Sequence, residues 1–505
     1  MHPRPLLVCA AVGLATLLLP APIPPMARPD PSASQPASAD ATAALCAYVV
    51  LAWNDLGMHC MNQYHEKFSV LPPYNNLYAQ VIRRGDVSGA PQVITQGVTA
   101  EYSIPGNTYS VGKTDFWTYA PQLFGVSLPP DIGLTGKGLS GALDASGAHF
   151  VAEGLPLTPF LDAQPAVEVP YQQGLVVARD GGGNELARST PVLPVSIEIE
   201  CVSSGCHASE VAILQAHAPV AGFNPNATPI LCAGCHADPV LGTAGRPDAG
   251  YFSFRMHDQH KFLDEQMSGT ALCYKCHPGK AARCLRGLMS TRFGLVCQDC
   301  HGSMVQVAAS IETGRVPWVQ EPACRTCHTA RFGEPIGQLY RKSTGHGGIY
   351  CEGCHNSTHA EWASSQPQDN ANVVALQGTA GVLKDCAVCH GVNPSSPGPH
   401  DISATDVPER EILAGAGALA IYPNPTRADC SIQIRGASAE GGTLLVYDAE
   451  GRVVRLLRAG PRATGWIAAA WDGRDGHGTA VPPGVYFVRW QRGAERAAGK
   501  VLIAR

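Results

Sequence analysis

The sequence predicts a multidomain chain: a mostly-β region, then a loop-rich region with short helices, then a small antiparallel β-sandwich, all behind an export leader. Three observations carry this. At 505 residues the chain is too long for one ordinary core. Fifteen of its nineteen cysteines crowd between Cys201 and Cys389. Alternating apolar runs separated by Gly and Pro lie before and after that cluster. Charge adds only an exclusion: 36 basic against 41 acidic residues, with no basic run, gives no footprint for nucleic acid.

The leader comes first. Met1 to Arg4 is a short positive start, Leu6 to Leu19 is apolar, and a Pro-rich stretch through Pro25 ends it. That is the layout of a secretory signal peptide, taken as residues 1–27, with cleavage after Ala27 or within Ala37-Ser38-Ala39. The apolar stretch is short for a span, and no other run of about twenty apolar residues follows, so no transmembrane segment is expected. Neither Cys9 nor Cys46 sits in a lipoprotein context. Residues 28–47, rich in Pro, Ser and Ala, read as a disordered lead-in. The mature protein is therefore expected in the periplasm, on the cell surface or outside the cell.

Residues 48–200 form the β-rich N-terminal domain. Gln92 to Gln96, Val98 to Tyr102 and Val195 to Glu200 alternate as strands of a sandwich or barrel, and helical periodicity is scarce. The segments "LAWNDLGMHCM" and "VLPPYNNLYAQVI" are similar to an N-terminal domain of exported multihaem cytochromes, a resemblance that implies no activity of its own.

The cysteine cluster, residues 201–400, carries the chemistry. Six times a Cys-x-x-Cys pair is followed at once by His: Cys232, Cys235 and His236; Cys273, Cys276 and His277; Cys297, Cys300 and His301; Cys324, Cys327 and His328; Cys351, Cys354 and His355; Cys386, Cys389 and His390. Two thiols so spaced can add to the two vinyl groups of one porphyrin, and the next imidazole then reaches the iron. This is the signature of covalently bound haem c. The zinc reading needs paired half-sites and has no use for each His, and a redox dithiol is expected once rather than six times. A seventh, irregular site is Cys201-Val-Ser-Ser-Gly-Cys206-His207, whose small residues permit the bulge that two extra positions require; the alternative there is a disulfide beside an ordinary His.

Seven proximal histidines leave each iron a second axial position. His217, His257, His260, His346, His359 and His400 lie in the same region and are the candidate distal ligands. For the seventh, the cluster Met58, His59, Met61 and His65 offers His59 first and His65 next, with a copper site or plain packing as alternatives. The leftover Cys46, Cys60, Cys284 and Cys430 allow two disulfides in an oxidising compartment. About 29 residues per haem cannot build an apolar core, so the porphyrins themselves must serve as one.

A linker, 401–418, leads to the sandwich at 419–505. Ile421 to Pro425, Leu444 to Asp448, Gly451 to Arg455, Trp471 to Gly473, Gly484 to Tyr486 and Lys500 to Arg505 follow the order of a small Ig-like β-sandwich. It resembles the Ig-like domain shared by the flagellar hook-capping protein and type IX secretion sorting domains, which implies surface sorting or attachment at the outer membrane. The haem region resembles the multihaem c-type cytochromes of bacterial respiration. That implies an electron carrier with mostly bis-His haems, redox partner proteins, and respiratory or extracellular electron transfer. Two alternatives stay open: an oxidoreductase with one open-coordination haem acting on nitrogen or sulfur compounds, for which the Cys201 to His207 haem is the place to look, and a subunit of a polymeric cytochrome filament in which a His is donated between copies.

Overall fold

The computed structural model describes residues 47–504 apart from 87–88, 392–393, 395–397, 402–418, 423, 425, 427–428, 436–441, 449–451, 459, 463–465 and 493–494. The expected signal peptide, Cys46 and nearly all of the linker therefore lie outside the described residues.

Residues 48–196 are built mainly on two antiparallel sheets, with a smaller sheet of Tyr171–Gln173, Val192–Ser196 and His59–Cys60, the last pair parallel, and a hairpin of Phe160–Leu161 with Gln164–Glu168. One of the main sheets runs in the order Tyr48–Trp53, Asn75–Arg83, His149–Leu155 and Asp144–Ser146, with Gln92–Ile94 also paired to Asn75–Arg83. The other runs Glu185–Ser189, Leu175–Asp180, Val98–Ser103 and Ser140–Ala142. Alternation decides what faces inward: Ala100 and Tyr102 are buried while Thr99 and Glu101 are exposed. Val50, Leu77, Val81 and Phe150 from the first sheet and Tyr102 and Val176 from the second share one core, which makes the pair a sandwich. The strand expected over 195–200 stops at Ser196. Beyond it the Ile197 amide donates to Glu168, and the buried Glu198 carboxylate accepts from the amides of Gly279, Lys280 and Ala281. Those tertiary bonds draw the alternating segment out of the sheet.

From Glu210 to Asp401 the elements are short helices, the longest being Pro367–Gln377 at 11 residues, and one short strand, Ile230–Leu231, paired in parallel with Phe68–Ser69. Among the described residues this stretch has no large apolar cluster of its own. Its Val388, Ile349 and Leu383 pack on Val49, Leu51, Trp53 and Ile82 of the sandwich, and its Ala282 and Cys284 on Met58, Tyr171 and Val192. Polar clamps reinforce this seam. Arg286, wholly buried, grips both carboxylate oxygens of Asp369 at 2.6 and 2.8 Å and donates to the Gly57 carbonyl. Ser357 donates to the Asn54 carbonyl and Asn372 to that of Ala52.

The C-terminal residues form a second sandwich. One sheet is ordered Leu419–Tyr422, Cys430–Arg435, Trp466–Trp471, Gly460–Arg462; the other Val453–Leu457, Thr443–Tyr447, Gly484–Arg492, Glu495–Ile503. Ile432, Val446, Trp471, Val488 and Trp490 fill the space between them. Cys430 is a buried thiol in this core, and Cys60 and Cys284 are free as well, so the two disulfides allowed by the count do not form among the described cysteines. Cys430 and Cys60 pack as small apolar groups, while the Cys284 sulfur meets the His359 ring at 3.4 Å.

Candidate functional site

Each regular motif is one turn of helix. The amides of His236, His277, His328 and His390 donate to the carbonyl of the first cysteine four residues back, at 2.9–3.0 Å. The other two motifs are the helices Cys297–His301 and Cys351–His355. The irregular motif reaches the same end: the His207 amide bonds the Cys201 carbonyl at 3.1 Å, six residues back, with Gly205 at φ +79° absorbing the extra length. Two additional residues thus leave the histidine placed against its first cysteine as in the others.

The histidines then pair, one from a motif with one from outside. His207 lies opposite His260 with ring centres 6.0 Å apart, His236 opposite His217 at 6.5 Å, and His277 opposite His257 at 6.4 Å. His301 faces His359 at 6.0 Å, His355 faces His400 at 6.1 Å, and His390 faces His346 at 5.9 Å. Ordinary aromatic pairs also fall between about 4.5 and 7 Å, so distance alone does not assign these contacts. Partner choice does: among the described residues no motif histidine pairs with another motif histidine, and no outside histidine with another outside one. The spacing also suits a shared metal ion, since nitrogens at about 2.1 Å on opposite sides, with ring centres about 1 Å behind them, put those centres about 6 Å apart.

The second nitrogen of several rings is already held. Nδ1 of His217 donates to the Ile213 carbonyl at 3.0 Å, that of His257 to Ser253 at 2.7 Å and that of His260 to Met256 at 2.8 Å, each one helical turn back. His400 makes the same bond to Arg331 at 3.1 Å. Such bonds fix the tautomer and leave Nε2 free to ligate. Burial pushes His277, His301 and His355 down to about 4, and lowers His236, His257 and His390 too, keeping these imidazoles in the neutral form that binds metal. His359 is the exception. Burial pushes it down, but the Cys284 sulfur, 3.4 Å from its Nδ1, together with the nearby Glu361 and Cys297, raises it to about 9.

All fourteen motif cysteines, all seven motif histidines and their six partners line one cavity of about 3500 Å³. Ligand pockets usually hold about 300–1,000 Å³, so this space suits several large groups laid side by side. Among the described residues no three His, Cys, Asp or Glu side chains converge on a point where a bare ion would sit. The donor set fits haem c: two thiols at the edge, one imidazole on each face.

His328 differs from the other six. Among the described residues no second imidazole faces it, and the charges within its electrostatic reach are Glu334 and Lys500. His59, the first choice for a seventh partner, lines the cavity but joins no pair: its Nε2 lies 3.1 Å from the Asp55 carboxylate, and both are buried. His65 is buried against Phe116 with Nδ1 at 3.0 Å from Ser69 Oγ, and Met61 is in the sandwich core. Met58 lines the cavity beside His59 and packs on Tyr171 and Val192. Sequence reading missed Arg286 and Asp369, which are 83 residues apart, and Lys500, which no local pattern marks.

Residues 426–492 match the FlgD Ig-like domain family. No curated protein matches the chain. Among solved structures, PorZ of Porphyromonas gingivalis, described as an essential bacterial surface component of the type IX secretion system, is similar at 21% identity over 20% of this chain and 13% of that one, with a TM-score of 0.14. Dimeric latent PorU from the same organism aligns at 10% identity over 90% of this chain and 34% of that one, with a TM-score of 0.15. This chain spans about a third or less of either, and superpositions at these scores carry no argument. Among the described residues no helix is long and apolar enough to cross a membrane.

Proposed function

We propose that this protein is an exported multihaem cytochrome c with seven covalent haems that carries electrons between redox partner proteins. The observation that carries the reading is the pairing of six motif histidines with six outside histidines at 5.9–6.5 Å. Bound haem c supplies one-electron iron chemistry, and an iron held by two imidazoles has no position for substrate. The chain's own share is positional. Helical turns present the thiols and proximal rings, carbonyl-bound Nδ1 atoms aim the distal rings, and the N-terminal sandwich holds the whole set in register.

The leader at 1–27 and the Ig-like match at 426–492 support export and attachment at the cell surface, with the C-terminal sandwich as the sorting or docking module. The test is intact mass of the purified protein with low-temperature EPR of its oxidised form. Seven haem additions and low-spin signals from at least six haems are expected. A mass without haem would overturn the reading.

A further inference from the structure

We propose that Cys284 is the positioning residue of His359: its sulfur accepts the Nδ1 proton of that ring, aims the ring at His301, and so tunes the haem held by Cys297 and Cys300. This rests on the Cys297 to His301 motif holding haem, as proposed above. His217, His257 and His260 place Nδ1 on a carbonyl four residues back, an acceptor that helical spacing supplies. His359 has no helical turn behind it. It lies between the helices Cys351–His355 and Pro367–Gln377, and its Nδ1 meets the Cys284 sulfur at 3.4 Å, from 75 residues away. A ring that ligates through Nε2 keeps its proton on Nδ1, and a thiol sulfur is a weak acceptor for it.

Both partners are fixed. The His359 carbonyl accepts from the amides of Arg286 and Gly287 at 2.8 and 2.6 Å, and its own amide donates to Glu361 at 3.0 Å. These bonds hold its backbone at φ +69°, a region that residues with side chains seldom occupy, so the surroundings impose the direction of the ring. On the other side, the Cys284 amide donates to the Pro278 carbonyl at 3.0 Å. The Cys284 carbonyl accepts at 3.3 Å from Arg286, whose guanidinium is clamped on Asp369. Leu285 meets the Tyr274 hydroxyl through its amide and its carbonyl, each at 3.3 Å. Residues 284–287 are thus tied to one haem motif, Cys273 to His277, and cradle the distal histidine of the next. Cys284 also borders Met58, Tyr171 and Val192, a packing role that any small apolar side chain would fill. The contact with Nδ1 needs an acceptor. A hydrogen bond there strengthens the donation of the imidazole to iron and favours the oxidised state.

The experiment is spectroelectrochemical titration and low-temperature EPR of the holoprotein carrying Cys284→Val or Cys284→Ser, with intact mass to show that haem is retained. Valine keeps the packing and removes the acceptor; serine keeps an acceptor in a smaller side chain. Cys284→Val should raise the potential of one haem, increasing its reduced-to-oxidised ratio at fixed applied potential by about three- to tenfold, the worth of one hydrogen bond. It should also move one low-spin EPR signal. Cys284→Ser should bring the ratio back to within about twofold of the unsubstituted protein. The signal that moves should be the one lost in His359→Gly, a substitution that suits a backbone at φ +69°. Unchanged potentials in Cys284→Val, equal shifts in both variants, or movement of a different signal would overturn the proposal while leaving the cytochrome reading intact. Peptide mapping that finds Cys297 and Cys300 without haem would remove the proposal together with the haem it concerns.

Discussion

The N-terminal sandwich and the helical region beside it are built on opposite principles. The first buries Val50, Leu77, Phe150, Val176 and their neighbours between two sheets and has a core of its own. The second arranges its cysteines and histidines around about 3500 Å³ of cavity and takes its apolar contacts from its neighbour. One region carries its own core; the other leans on that scaffold and, on the cytochrome reading, would need a filling as well. Sequence length per unit of core, rather than composition, sets that difference.

The largest break in the comparison would come from withholding haem attachment. In hydrogen exchange, residues 201–401 should then lose protection throughout while 48–196 keep theirs, by the linkage that makes cofactor-dependent modules fold with their cofactor. Equal protection in both would sink the contrast. Next in size is the clamp between the regions. Arg286→Met strands the buried Asp369 charge and should cost about 3–5 kcal/mol in denaturant unfolding, and Asp369→Leu in the same chain should recover most of it. A loss under about 1 kcal/mol would show that the seam does not depend on the pair.

The smallest effect sharpens the scaffold side. Burial pushes His65 down to about 4, below its ordinary value of 6.5. Between these values the unfolded chain binds the extra proton, so stability rises with pH there and falls on acidification, by at most about 3 kcal/mol. His65→Phe should flatten that slope in the pH dependence of sandwich unfolding. An unchanged slope would place the titration elsewhere.

How much was legible follows from range. The motifs are local, so Cys232 to His236 and its repeats could be read directly; alternation announced the strand at Val98, and the apolar run from Leu444 the one beginning at Thr443. Candidate distal histidines were visible as a set, but their pairing depends on contacts such as His301 with His359, which no spacing encodes. His59, a candidate by its place in a segment dense with potential ligands, also has a carboxylate partner, Asp55, four residues away, which the sequence reading did not weigh. The two N-terminal signature segments gained a physical reason only in three dimensions: Asn54 donates to Asn75 at 2.7 Å and Asp55 accepts from Asn76 at 3.0 Å, so they lock onto one another. Gly57, within the first of them, runs at φ +71° hard against the Thr358 carbonyl, where a side chain would collide.

The seam bonds also set an order of events. Ser357 reaches back 303 residues to Asn54, and Asn372 reaches back 320 to Ala52. A chain emerging N-terminus first completes its sandwich at Ser196 long before either partner arrives, because local and early contacts form ahead of distant ones. Until then the cysteine pairs are not enclosed, and on the cytochrome reading proposed above they would be within reach of whatever attaches haem. On that reading, closure of the seam would be the final step, after the last motif, Cys386 to His390, only if attachment kept pace with export.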